Sequence, residues 1–128
     1  MSFYLEKQKT SSTPYVLIDE SKGYMKMSDK SFPEKSFDFF GEINAWLDNY
    51  LAKDFGAFVF DFAVEYYNSS TLKIIINMLM RMDKCSVGGN KVTVNWIVAE
   101  DDEIMIESGE DIQEDIENLE FNVVIIDE

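Results

Sequence analysis

Phe58-Val59-Phe60-Asp61-Phe62-Ala63-Val64-Glu65-Tyr66-Tyr67-Asn68-Ser69-Ser70-Thr71-Leu72-Lys73-Ile74-Ile75-Ile76 changes its period partway along. Phe58, Phe60, Phe62, Val64 and Tyr66 alternate with Val59, Asp61, Ala63 and Glu65, the two-residue repeat of a strand. Beyond the break, Leu72, Ile75, Ile76, Leu79 and Met82 recur at helical spacing. The join holds an amide and three hydroxyls, Asn68, Ser69, Ser70 and Thr71, with no Gly or Pro, so the strand hands over directly to the helix. Backbone N–H groups are unpaired at a helix start, and the helix dipole favours negative charge there. A hydroxyl at that point can cap the helix, help bind an anion, or carry a covalent phosphate.

Working outward, Tyr15 to Ile18 reads as a strand and Asp19-Glu20-Ser21-Lys22-Gly23 as a turn, with Tyr24 to Met27 returning as the second arm of a hairpin. Ser31 and Glu34 have capping-box spacing and Pro33 suits a first turn, which predicts a helix start at Ser31-Phe32-Pro33-Glu34. Phe39, Ile43, Trp46, Leu47, Tyr50 and Leu51 line one face of that helix, which stops near Lys53. Downstream of the central unit, whose helix runs from about Ser70 to Lys84, Val87-Gly88-Gly89-Asn90 is a turn and Lys91 to Val98 a strand. A weaker helical pattern follows from about Asp101 to Glu117, then a last strand from Phe121 to Ile126. The order β-β-α-β-α-β-α-β predicts one α/β domain over residues 1–128, with 1–12 as a flexible segment. Its sheet is mixed or mainly parallel and packed with helices, similar to small anti-sigma-factor-antagonist (STAS-type) domains.

Composition narrows the chemistry. The formal charge of −14 comes from 25 acidic against 11 basic residues, which disfavours nucleic acid and anionic membranes as partners. There is no histidine, which removes the commonest general base and the Ser-His and Cys-His nucleophile pairs. The single Cys85 sits at the end of an amphipathic pattern and reads as a structural thiol. Residues 1–13 are polar and no run reaches the length of a membrane span, so a cytoplasmic protein is expected.

Two further candidates stand beside the junction. No lysine or arginine follows Lys91, whereas 13 of the 25 acidic residues do, densest at Glu100-Asp101-Asp102-Glu103 and continuing through Glu107, Glu110, Asp111, Glu114 and Asp115. This segment, 100–117, reads as a solvated helix face, a docking surface for a partner, or a metal site, though its spacing does not match a calcium loop. Asp61 invites comparison with a phospho-acceptor aspartate, with Asp19-Glu20 as the acidic pair, but it falls mid-strand rather than at the strand's carboxyl end.

Several stretches together resemble the SiaC family of bacterial regulatory phosphoproteins. Ser31-Phe32-Pro33-Glu34 resembles its S-[YF]-P-E segment and Tyr66-Tyr67-Asn68-Ser69-Ser70 its Y-x-N-[ST]-S segment. Val92-Thr93-Val94-Asn95-Trp96, Glu100-Asp101-Asp102-Glu103 and Glu107-Ser108-Gly109-Glu110 resemble its C-terminal strand and acidic helix. The resemblance implies a non-enzymatic protein with no cofactor, phosphorylated on the hydroxyl residue after the Asn by a dedicated Ser/Thr kinase and released by a PP2C-type phosphatase. Its unphosphorylated form would bind and activate a diguanylate cyclase controlling biofilm and aggregation. Carried over by position, the acceptor is Ser69, with Ser70 and Thr71 as alternative acceptors or as capping and kinase-recognition residues. Tyr67, Asn68, Ser70, Leu72 and Lys73 form the expected partner surface. The rival readings are a small acidic metal-dependent enzyme and an acidic adaptor that is never phosphorylated.

Overall fold

The computed structural model describes residues 2–127. The strands are β1 (Tyr4–Lys7), β2 (Tyr15–Asp19), β3 (Tyr24–Ser31), β4 (Ala57–Tyr67), β5 (Lys91–Ala99) and β6 (Glu120–Ile126), and the helices α1 (Ser36–Leu51), α2 (Ser69–Cys85) and α3 (Glu103–Asp115). All six strands form one sheet in sequence order. β1, β2 and β3 pair antiparallel, and β3 to β6 pair parallel. The three helical crossovers step the same way across the sheet, so right-handed connections place every helix on one face.

The core lies between that face and the helices. Phe58, Phe60, Phe62 and Val64 of β4, Val92, Val94 and Trp96 of β5, and Val16, Ile18, Met25 and Met27 of the hairpin are all buried there. Ile43 and Leu47 of α1 and Ile75, Met78 and Leu79 of α2 close over them. Trp46 stacks on Tyr50 and donates its indole N–H to Glu20 at 2.7 Å, which ties α1 to the hairpin turn. That bond and the Lys53 ammonium outweigh burial and hold the Glu20 carboxyl below its usual range. At the other end of the sheet Trp96 donates to the Met105 carbonyl at 2.9 Å, and a Cβ on Gly109 would stand 2.4 Å from its ring, so α3 rests directly on the indole.

Among the described residues no helix covers the opposite face. Across it Asp61 accepts from the Tyr24 hydroxyl at 2.7 Å and from Asn95 Nδ2 at 2.8 Å, and Asn122 Nδ2 donates to Asn95 Oδ1 at 3.1 Å. Both oxygens of Asp61 are thus spent in a polar row across the strands.

Three expectations are corrected. The N-terminal segment contributes a sixth strand: residues 4–7 are paired to β2, with Phe3 stacked on Trp46, where a flexible stretch is predicted. Four residues with alternating Tyr, Leu, Glu and Lys carry too little apolar signal to announce themselves. The capping box at Ser31 and Glu34 does not form, and α1 begins at Ser36. The parallel ladder with β4 extends to Ser31 opposite Tyr67, which leaves Ser31 as buried strand and unavailable as a cap. The alternation of β4 also slips near its end. Asp29 pairs with Val64 and Lys30 with Tyr66, so Glu65 is one extra residue in the ladder, and Asp29, the last residue of β3 before the slip, stands at φ 75°. The slip turns Tyr66 outward and Tyr67 inward, against the pattern that places Tyr66 with Phe62 and Val64.

Candidate functional site

The start of α2 is built from four polar side chains, and three of them are committed to structure. Asn68 is the N-cap, with extended backbone at φ −87° and ψ 174°. Its Oδ1 accepts from the Thr71 N–H at 2.9 Å and from the Ser70 hydroxyl at 3.1 Å. Its own N–H donates to the Ser31 carbonyl at 3.1 Å, continuing the β3–β4 ladder to the first helical residue. Thr71 is fully buried and its hydroxyl lies 2.9 Å from that of Ser31, within 3.2 Å of the Ser31 carbonyl. The Ser70 hydroxyl also meets that of Ser36 at 2.8 Å, which joins the N-termini of α1 and α2.

Ser69 remains. It is exposed, it is the first residue of α2, and its hydroxyl makes no hydrogen bond among the described residues. No acidic residue occupies the first turn of α2. Lys73, one turn further on, is exposed and forms no ion pair among the described residues. A hydroxyl exposed to water at a helix end that favours negative charge has room for a phosphoryl group without cost to the fold.

From Ser69 a groove of about 710 Å³ runs between α1 and α2, lined by Phe37, Asn44, Lys73, Ile74, Asn77 and Arg81 among others. Its far end is closed by the Arg81 guanidinium, which bonds Asp48 and Asn44 of α1. Phe37 stands on its rim with 84% of its surface exposed. Burying a Phe side chain is worth about 1.5–3 kcal/mol, most of which Phe37 forgoes in the isolated chain. Tyr66 and Phe32, also exposed, pack edge to face at 5.7 Å beside the same strand ends.

Of the expected partner residues, Lys73 is exposed and faces the groove, Leu72 is half-buried, and Asn68 and Ser70 are held in the capping network. Tyr67 is half-buried against Phe62 and Trp96, with ring centroids 6.4 and 6.3 Å away. The outward aromatic residues are Tyr66, Phe32 and Phe37. Phe37 was legible in principle, because a Phe that falls off the buried stripe of its own helix has no core to enter.

The acidic segment has a partly structural use. Asp102 caps α3 by accepting from the Met105 N–H at 3.2 Å, while Asp101, Glu103, Glu107, Glu110, Asp111, Glu114, Asp115 and Glu117 are exposed. Among the described residues no three His, Cys, Asp or Glu side chains gather as a metal ion would require. Sequence reasoning missed Asp83, a buried carboxylate at the end of α2. It accepts the backbone N–H groups of Asn118 at 2.7 Å, Leu119 at 2.9 Å and Glu117 at 3.1 Å, which fixes the entry to β6. Nothing local marks it, since its partners lie 34–36 residues away.

A family model described as SiaC family regulatory phosphoprotein matches residues 7–126. An uncharacterized protein of Pseudomonas aeruginosa strain UCBPP-PA14 is 29% identical over 106 residues, covering 83% of this chain and 84% of that one. The solved structure of SiaC of Pseudomonas aeruginosa superposes with a TM-score of 0.86 at 25% identity, covering 97% of this chain and 99% of the other. The crystal structure of the diguanylate cyclase SiaD in complex with its activator SiaC, from the same organism, matches with a TM-score of 0.84 at 27% identity over 97% and 99% of the two chains.

Proposed function

The chain belongs to the SiaC family of regulatory phosphoproteins, and on that footing we propose that it is a non-enzymatic, STAS-like partner-switching regulator of the cytoplasm. Unphosphorylated, it binds and activates a diguanylate cyclase, by analogy with the Pseudomonas pair, in which SiaC is the activator of SiaD. A Ser/Thr kinase places a phosphate on Ser69, a PP2C-type phosphatase removes it, and the output is the level of cyclic di-GMP and with it biofilm formation. The observation that carries this reading is the division of labour at the start of α2. Asn68, Ser70 and Thr71 are committed to the cap and to α1 and β3, and Ser69 alone offers a free, exposed hydroxyl.

A phosphate adds about −1.5 to −2 charges at pH 7. The overall −14 barely registers it, because salt screens charge beyond roughly 8 Å. Local charge decides instead. Against a partner carboxylate about 6 Å away, each added charge costs about 0.7 kcal/mol at the dielectric of water and about 3 kcal/mol at an effective value of 20. Within a closed interface that lowers affinity by roughly one to three orders of magnitude.

The intact mass of the protein from its own cells, with and without phosphatase treatment, tests the modification. Peptide mapping must then put the phosphate on Ser69. Phosphate on Ser70, or none under any condition that silences the cyclase, refutes the assignment.

A further inference from the structure

We propose that the free edge of β6 takes up a seventh strand, an extended segment of a partner protein in which basic and apolar residues alternate. The site lies two strands across the sheet from β4 and does not depend on the reading of Ser69.

The two edges of the sheet are unlike. β1 is four residues long, and Glu6 and Lys7 among them are charged. β6 is seven residues long, keeps an unbroken register with β5 from Glu120 to Ile126, and ends in Val123-Val124-Ile125-Ile126 with no lysine or proline. Short length, lysine, proline and bulges are the devices that stop an edge strand from pairing, and β6 has none of them. Ile125 is 54% exposed and Ile126 40%.

The edge also has backbone groups to offer. The Ile126 carbonyl accepts from the Glu100 N–H at 3.1 Å, on the β5 side. Neighbouring residues of a strand turn their N–H and C=O groups to opposite sides, so those of Phe121, Val123 and Ile125 point away from β5. The side chain of Gln113 takes the Phe121 carbonyl at 2.8 Å. Among the described residues no side chain takes those of Val123 or Ile125. An added strand satisfies such a row directly, whereas a helix brings backbone groups that are already bonded.

Charge selects the occupant. Gln113 sets one side of α3 over this edge, and Ile106 and Glu110 share that side at helical spacing. Glu103, Glu107 and Glu114 beside them are exposed. No lysine or arginine follows Lys91, so a second copy of this chain would bring acid against acid. A basic segment brings the opposite charge, and strand alternation sorts its residues between the two faces. On the helix side, lysine or arginine stems lie over Ile125 with their charges toward α3. On the other side, apolar residues lie beside Val124 and Ile126.

The probe is a synthetic peptide of alternating lysine and valine, as long as β6, titrated into the full chain. It should bind more tightly at low salt and slow amide exchange at Val123 and Ile125 by about tenfold or more. Ile125→Pro removes one outward N–H and leaves the ladder with β5 intact, so affinity should fall about tenfold at an unchanged melting temperature. If that variant melts early, exchange at Val123 in the wild-type chain decides in its place. Glu107→Lys with Glu110→Lys should weaken binding and flatten its salt dependence. Equal binding of a peptide with the same lysines and valines in separate blocks would reduce the attraction to charge and overturn the strand. Equal binding of a glutamate-valine twin overturns the basic occupant. Self-association of the chain that Ile125→Pro abolishes gives the edge to a second copy, and no binding of the lysine-valine peptide overturns the proposal outright.

Discussion

At the C-terminal end of α2 the Asp83 carboxylate is buried and accepts three backbone N–H groups, while at the N-terminal end the Ser69 hydroxyl is exposed and bonds nothing among the described residues. Both ends are polar, and both stand where a helix meets a strand connection. At one end both carboxylate oxygens have backbone partners, so a substitution is felt as lost stability. At the other the Ser69 hydroxyl is left over, so a substitution is felt by whatever comes to meet it. The contrast separates a polar group the fold has used from one it has left free, within one helix.

Asp83→Ala should break the comparison most visibly. It strips the partner from three backbone N–H groups near the core and should cost about 3 kcal/mol in urea unfolding. A cost below about 1 kcal/mol would mean water reaches those groups and that this end is not closed. The pH dependence sharpens the point. Burial raises the Asp83 carboxyl, but the bonds from Leu119, Asn118 and Glu117 outweigh it and hold the group below its usual range. Its contribution is therefore complete above the unfolded value of about 3.9 and is lost as pH falls through the lower folded value. Below about pH 4 wild type should lose stability more steeply than Asp83→Asn, as thermal melts across that range would read.

At the opposite end Ser69→Asp should barely touch the fold, because a carboxylate at a helix start is favourable by about 0.3–1 kcal/mol. It should lower affinity for the cyclase by roughly one to three orders of magnitude, toward the smaller figure because it carries one charge where phosphate carries nearly two. Equal affinity for wild type and Ser69→Asp in a titration would end the idea that charge here gates recognition. Asn68→Ala should cost about 1 kcal/mol, the usual value of a cap. The smallest effect belongs to Ser69→Ala, which should stay within about 0.5 kcal/mol of wild type in stability and keep partner binding. A larger destabilisation would show the hydroxyl to be structural after all.

Most of the architecture could be read from periodicity. β4, α2 and β5 are long, strongly patterned elements, and their spacing alone implies parallel strands joined by helices. Local signals failed where distant pairing overruled them. The Ser31-Phe32-Pro33-Glu34 segment has the chemistry of a helix start, but the ladder with β4 claims Ser31 for the sheet. Tyr67 adjoins Asn68 and so reads as partner surface, and only the three-dimensional register sets it against Trp96. A cap somewhere within Asn68 to Thr71 was legible because capping is a matter of a few adjacent residues, but that Asn68 caps and Ser69 is left without a partner only the geometry tells. The groove was not, since it belongs to two helices joined by Arg81 and Asp48, 33 residues apart.

The extra residue at Glu65 has a consequence for how this chain can change through insertion and deletion. Because a strand repeats every two residues, the bulge acts as a half-period phase shift between the core and the start of α2. Deleting Glu65 would close the ladder into a regular one, with Val64 inward opposite Asp29, Tyr66 outward opposite Lys30, Tyr67 inward opposite Ser31, and Asn68 still at the Ser31 carbonyl it bonds. Point changes on the outer face of β4 leave that phase untouched. A one-residue length change between Phe58 and Val64, where the ladder is regular, would instead exchange its buried and exposed faces, so residue number is held more tightly before the bulge than at it.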